Sequence, residues 1–314
     1  MTIIQRHIDL AFIKFPVFFP LIYLLFLHKF PEHESVIALL TMGFLAEPHF
    51  GATWTVFFDK NVRGYAVGKK LIFLYGGAVV AFFTITLFLF AQNIFYLLFF
   101  AFNVFHVTRQ SVGVCKLFTQ DKAEKNYQIL AIYYCNMAVG TTVVAYLMLR
   151  VINQDLAFKS GIVYLLFASV IAAYQHKKYH NLENALTTLT GLVVFAPSFF
   201  VEKPIHAILA GVTMHYSQYI CITLKLYLSK KSNQVSPTKI SFSSLIVSKY
   251  FLVIMSYAIS ATTMTFLSST KENAFSILLL VPILGQVLHF YIDGLIWRFS
   301  VPEVRRLNLK YLFS

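Results

Sequence analysis

The chain has 314 residues, of which 58% are hydrophobic, 17% aromatic and only 12% charged, with a formal net charge of +13. A soluble domain of this length carries about twice that charged fraction, so the composition excludes a water-soluble globular protein. Long apolar blocks separated by short polar stretches point instead to an all-α, polytopic integral membrane helical bundle.

Ten spans are expected, at 9–28, 36–58, 71–91, 93–116, 127–150, 160–175, 183–200, 204–228, 243–267 and 274–298. The second, sixth and seventh are the least apolar, so eight or nine spans stay open. The first, LAFIKFPVFFPLIYLLFLH, has two prolines and no small-residue cleavage site, and reads as a retained span rather than a cleaved signal.

The second span carries Glu47-Pro48-His49-Phe50-Gly51. Pro48 removes a backbone hydrogen bond and bends the helix, and Gly51 lets a neighbour come close. Thr53 follows His49 at i+4, on the same helical face. Glu47 sits two positions from His49 and reaches the same site only through the proline distortion. In the fourth span, Asn103, His106, Arg109 and Gln110 form a polar stripe at spacings of three and four. Arg109 lies about seven residues from the helix end, and is expected to pair with a buried acid, Glu47 or Asp293, or to hold an anionic group. The eighth span presents Gly211, His215, Gln218 and Tyr219 along one face; His206 is near the outer end and reads as interfacial. The tenth presents Gly285, Gln286, His289 and Asp293, with Trp297 and Arg298 marking the interface. Cys115, Cys135 and Cys221 form no CxxC pair and read as packing residues.

Each of these four histidines precedes a cationic residue at its span's end: His49 before Lys60, His106 before Lys116, His215 before Lys225 and His289 before Arg298. Nine to eleven helical residues correspond to about 13–17 Å. The positive-inside rule sets the direction. The termini and the loops after even spans hold 19 of the 26 Lys and Arg, and the loops after odd spans hold five. Both termini are therefore expected to be cytoplasmic. The four histidine spans then run in one direction and place their imidazoles at one depth. No repeat beyond this offset is evident. The chain reads as a single transmembrane domain, 1–314, with a cytoplasmic loop at 229–242. The basic excess meets anionic lipid headgroups and requires no nucleic acid.

Ionisable residues within a membrane are costly and mark functional sites by default. Several imidazoles with few carboxylates suit Fe(II), Cu or Zn better than Mg or Ca. The expected metal ligands are His49, His106, His215 and His289. Asp293 and Gln110 are placed to orient imidazoles, since a metal-bound ring donates its second N–H to such a partner. Gln218 and Tyr219 are expected beside the cofactor, and Arg109, Asp293 and Glu47 to take part in the chemistry. This describes a non-haem iron oxygenase acting on an apolar isoprenoid or lipid.

The His-Phe-Gly of residues 49–51 and the segment ending His106-Val-Thr-Arg109-Gln110 resemble pieces of the Brp/Blh family, membrane β-carotene 15,15′-dioxygenases that use histidine-bound iron. The resemblance covers about a tenth of the chain. The family's Pro-His-Gly-x-x-Asp element is absent, and Gln110 stands where its late element has a second histidine. The segments His215-x-x-Gln218-Tyr219 and His289-Phe-Tyr-x-Asp293-Gly-x-Ile-Trp297-Arg298 are similar to signatures in bacterial polytopic membrane proteins of unassigned function. This second likeness implies a bacterial inner-membrane location and no particular reaction.

Three other readings fit parts of the pattern. A b-type haem protein would use histidine pairs as axial ligands, with Arg109 on a propionate. A proton-coupled transporter would use the buried His, Asp, Arg and Glu as a relay, though no inverted repeat is evident. In a structural subunit the polar residues would only bind helices together. Membrane lipids and an apolar small molecule are the expected partners, with a homo-oligomer left open.

Overall fold

The computed structural model describes residues 3–232, 248–268 and 277–313, and every regular element among them is helical. A short helical stretch, Arg6–Lys14, leads to α1 (Phe18–Lys29) at a bend of 54°. There follow α2 (Glu34–Thr41), α3 (Glu47–Phe57), α4 (Lys60–Gly68), α5 (Gly77–Phe90), α6 (Gln92–Phe118) and α7 (Lys122–Leu147). The remainder comprises α8 (Gln154–Tyr179), α9 (Leu182–Val193), α10 (Pro204–Ser232), α11 (Lys249–Ser268) and α12 (Leu280–Ile296), then short helical turns over 302–312.

Among the described residues, six helical stretches are long and apolar enough to cross a membrane: Pro31–Phe57, Leu71–Phe90, Lys122–Leu147, Gln154–Tyr179, Lys249–Ser268 and Ile277–Ile296. The bent pair Arg6–Lys14 and Phe18–Lys29 makes a seventh. Their outward faces are greasy. On α8, Val163, Leu166, Phe167 and Val170 are exposed, as are Val79, Phe82 and Phe83 on α5, more apolar surface than a soluble monomer shows to water. The other expected spans depart from that description for visible reasons. α6 and α10 have 27 and 29 residues but carry buried polar side chains along their length, among them Asn103, His106, Thr108 and Ser111 on α6. The expected span 183–200 is a 12-residue helix followed by a 3-10 turn containing Pro197. The loop expected at 229–242 lies, from residue 233 on, outside the described residues.

The chain divides into two compact units. The first comprises the residues up to Thr41 together with Phe100–Gln218. Its centre is a set of buried amides. The Glu124 carboxylate accepts from Gln175 Nε2 (2.9 Å) and Asn184 Nδ2 (3.0 Å), Gln128 Nε2 donates to Thr188 Oγ1 (2.9 Å), and Asn136 Nδ2 donates to the Gly191 carbonyl (3.0 Å). Each of these ties α7 to α8 or α9. The helix break before α1 is satisfied in the same way. Asp9–Lys14 forms a π-helical turn that ends at Phe15, ahead of Pro16, and proline cannot donate to continue the ladder. Side chains serve the stranded carbonyls instead. Ser217 Oγ donates to Phe12 O (2.8 Å), Gln218 Nε2 to Ile13 O (2.6 Å) and Thr190 Oγ1 to Lys14 O (2.8 Å). In a lipid environment such backbone groups must find protein partners.

The second unit comprises Met42–Phe99 and Tyr219–Ser314. Here α3 packs along α11, and α12 lies against α3 and α5. Pro48 falls in the first turn of α3, directly after a π-helical turn over Met42–Ala46. That wider turn accommodates the missing N–H and the pyrrolidine ring within one apolar stretch. At Gly51 the backbones of α3 and α11 approach closely: an added Cβ would lie 3.1 Å from the Ile254 Cα. A small apolar cluster of Ala52, Tyr219, Tyr250 and Ile254 surrounds this contact.

Candidate metal centre

In the second unit, His49 and Thr53 come from α3, Tyr219 from α10, and His289 and Asp293 from α12. His289 is fully buried, and His49 and Asp293 nearly so. The His49 and His289 rings lie 4.5 Å apart between centroids at 71°, and the Tyr219 ring is 4.7 Å from His49. One hydrogen-bonded network organises them. Thr53 Oγ1 lies 2.5 Å from His289 Nδ1 and 2.8 Å from Asp293 Oδ1. The Tyr219 hydroxyl donates to the same carboxylate oxygen at 2.7 Å, and Trp297 Nε1 donates to the Tyr219 oxygen at 3.1 Å.

The Tyr219 hydroxyl also lies 2.7 Å from Thr53 Oγ1. A carboxylate only accepts, so Asp293 takes its protons from the Thr53 and Tyr219 hydroxyls, and Thr53 Oγ1 meets His289 Nδ1 as acceptor in one imidazole tautomer and as donor in the other. Either way Nδ1 is held by the network, the arrangement that orients an imidazole for ligation through its other nitrogen. The expected link from Asp293 to His289 is therefore present, but relayed. The direct contact, Nδ1 to Oδ1, is 3.8 Å, and Thr53 bridges it. Thr53, which the sequence places beside His49 on its own helix, serves His289 instead. Trp297 is likewise more than an interface marker: at i+4 from Asp293, its indole fixes Tyr219.

Glu47 is fully buried. Its Oε1 accepts from Gln286 Nε2 at 3.4 Å, and its Oε2 has no hydrogen-bond partner among the described residues, nor does the Tyr257 hydroxyl. Gly285 makes room for that tyrosine, since a Cβ there would meet the Tyr257 hydroxyl at 2.1 Å.

In the first unit, the His106 and His215 rings lie 5.7 Å apart at 86°, both buried. Gln110 Nε2 lies 3.0 Å from His106 Nε2, the i+4 partner that the spacing predicts. Two expectations change here. Gln218 is engaged with the Ile13 carbonyl at the helix break, which explains its burial without a cofactor. Arg109 is exposed, with its guanidinium over the Phe105 ring at 5.6 Å, and it forms no ion pair among the described residues. The planar, weakly hydrated guanidinium favours such an aromatic face. His206 is held by the Tyr23 hydroxyl at 2.6 Å and Glu34 at 3.3 Å.

His49, His106, His215, His289 and Asp293 all belong to buried groups of side chains that could hold a metal ion. Neutral imidazoles joined by one carboxylate form a donor set that suits a first-row transition metal. No family model matches the chain, and neither the curated proteins nor the solved structures give a match.

Proposed function

We propose that this chain is a multi-pass membrane metalloenzyme, a non-haem iron oxygenase acting on an apolar isoprenoid or lipid. The observation that carries this reading is the buried hydrogen-bonded network that holds His289 at Nδ1. A buried imidazole oriented by a threonine, an aspartate, a tyrosine and a tryptophan is the supporting arrangement that metal-binding histidines have. A merely structural histidine needs no such relay. The ligands we assign are His49, His106, His215 and His289, selected by their equal offsets from basic span ends. Iron and oxygen chemistry rest on the donor set and on the resemblance of residues 49–51 and 106–110 to membrane dioxygenases. When bound, Fe(II) would supply a site for activating oxygen. The chain's own groups would hold the ligands in place, keep water out and give the Glu47 carboxylate oxygen a position to accept a proton.

The topology proposed with this function has about ten spans and both termini in the cytoplasm of a bacterial inner membrane. It rests on the Lys and Arg distribution, with α6 and α10 crossing as polar-striped helices shielded by their neighbours.

The test is elemental analysis and an optical spectrum on protein purified in detergent, with His289→Ala and His106→Ala beside it. We expect about one iron per chain with no haem band, consistent with a site of this donor type. Loss of that iron in either variant supports the four-histidine set. Two ions per chain, each lost with one pair only, would replace it with two separate sites. A haem band would move the assignment to a b-type cytochrome. The absence of any metal after reconstitution with Fe(II), Cu or Zn would sink the metalloenzyme. A proton-coupled transporter would then lead, favoured by the buried, half-satisfied Glu47.

A further inference from the structure

The second unit contains a cleft of about 760 Å³ that the histidine chemistry does not use. It lies where α3 ends, α4 and α11 begin and α10 nears its end. Asp59, in its lining, follows the end of α3 at Phe57 and is six residues along the chain from Thr53. Four lysines line it: Lys60, Lys230, Lys231 and Lys249. Among the described residues, Asp59 is the one acid in the lining, and it is already engaged. Asp59 caps α4 by accepting from Asn61 N (3.1 Å) and Val62 N (3.2 Å), and Lys230 Nζ lies 3.3 Å from the same oxygen. Lys60, Lys231 and Lys249 are exposed and have no ion-pair partner among the described residues. Lys230 is different: its side chain is only 11% exposed, it donates to Asn308 Oδ1 at 3.1 Å, and burial pushes its ammonium below the ordinary lysine range while Asp59 opposes that shift. Ser248 stands at the first turn of α11, its hydroxyl accepting from Phe251 N, and Val56, Leu226 and Tyr227 supply an apolar wall.

We propose that this cleft binds a phosphate-bearing ligand. Lysine ammonium groups are compact charges suited to phosphate oxygens. Three unpaired cations around one concavity repel each other until an anion enters. The cleft is large enough for a headgroup or a diphosphate, and its apolar wall suits the first carbons of an attached chain. Two sources share this chemistry: the headgroup of an anionic phospholipid, and a soluble phosphate or diphosphate. The proposal does not depend on a metal at the histidines.

The experiment uses the full chain in detergent depleted of phospholipid. Inorganic pyrophosphate is titrated calorimetrically, and phosphatidylglycerol or phosphatidylcholine adducts are counted by native mass spectrometry. Lys60→Gln/Lys231→Gln/Lys249→Gln is compared with Lys69→Gln/Lys70→Gln/Lys122→Gln, which removes equal charge elsewhere from exposed positions. Pyrophosphate binding weakened roughly tenfold or more only in the cleft variant, as loss of charge-assisted contacts requires, supports the site and a soluble source. Phosphatidylglycerol adducts lost only in the cleft variant, with no pyrophosphate binding, support the site and a lipid source. Binding of neither probe, or equal losses in both variants, overturns the proposal. Lys230→Gln adds the buried member; if that variant fails to fold, the exposed triple variant still decides.

Discussion

At the scale of single residues, the hydrogen bonds around His289 make Thr53 the most informative position. Thr53→Val keeps the shape and removes one hydroxyl. Asp293 and His289 Nδ1 then both lose the Thr53 oxygen that bridges them, so the imidazole is less firmly oriented. We expect the variant to fold, to lose about 1–3 kcal/mol of stability from unsatisfied buried groups, and to bind the metal about 10–100-fold more weakly. Metal titration against thermal unfolding separates the two effects; unchanged metal affinity with lowered stability would make the network purely structural. His289 and Asp293 were legible in the sequence because they lie on one helix at i, i+4. Thr53 and Tyr219 were visible as polar residues near a histidine, but their partnership with His289 was not. It depends on which faces of α3, α10 and α12 meet, and no spacing within one helix encodes that. Position along the helix gives the depth of Arg109 but not its azimuth, which puts it on an exposed side, over Phe105.

At the scale of elements, glycines decide how closely helices approach. Gly51 faces the backbone of α11 at 3.1 Å from a hypothetical Cβ, while Gly64, within α4, has nothing within 4 Å. Gly51→Ala must push α3 away from α11, and overpacking of this kind costs about 1–3 kcal/mol. Gly64→Ala meets open space, and should be neutral or stabilising by up to about 1 kcal/mol through helix propensity. Thermal denaturation of the pair checks both signs. Equal effects would mean that α3 and α11 are not held by backbone contact. Gly51 was read correctly from the sequence because a glycine beside a proline-bent intramembrane turn has few other uses. Segment 183–200 reads as one continuous apolar stretch, whereas the helix ends at Val193 and a 3-10 turn containing Pro197 follows. The side chains that serve the break before α1 come from residues 190, 217 and 218, about two hundred positions away, so Gln218 had no local signature of its role.

At the scale of the whole molecule, a shared histidine depth depends on the parity of the spans. Residues near 32 and near 303 are separated by nine proposed spans, so they must lie on opposite sides. Glu32 and Glu303 are both exposed and accept cysteine without disturbing packing. In a background lacking Cys115, Cys135 and Cys221, a membrane-impermeant maleimide should label Glu32→Cys in intact cells and Glu303→Cys only after permeabilisation, as the basic excess near the second terminus requires. Labelling with the sides exchanged would reverse the orientation but leave the four histidine spans parallel, because every span would be inverted together. Labelling of both from one side has a deeper consequence. An odd number of the expected spans would then fail to cross, and the offsets of His49, His106, His215 and His289 from their basic ends would no longer measure depth from the same face. The 3-10 turn in 183–200 and the buried polar stripes of α6 and α10 mark where such a failure would arise. A polar-striped helix crosses lipid only if its stripe is covered by neighbouring helices, and His106, Thr108 and Ser111 on α6 are indeed buried.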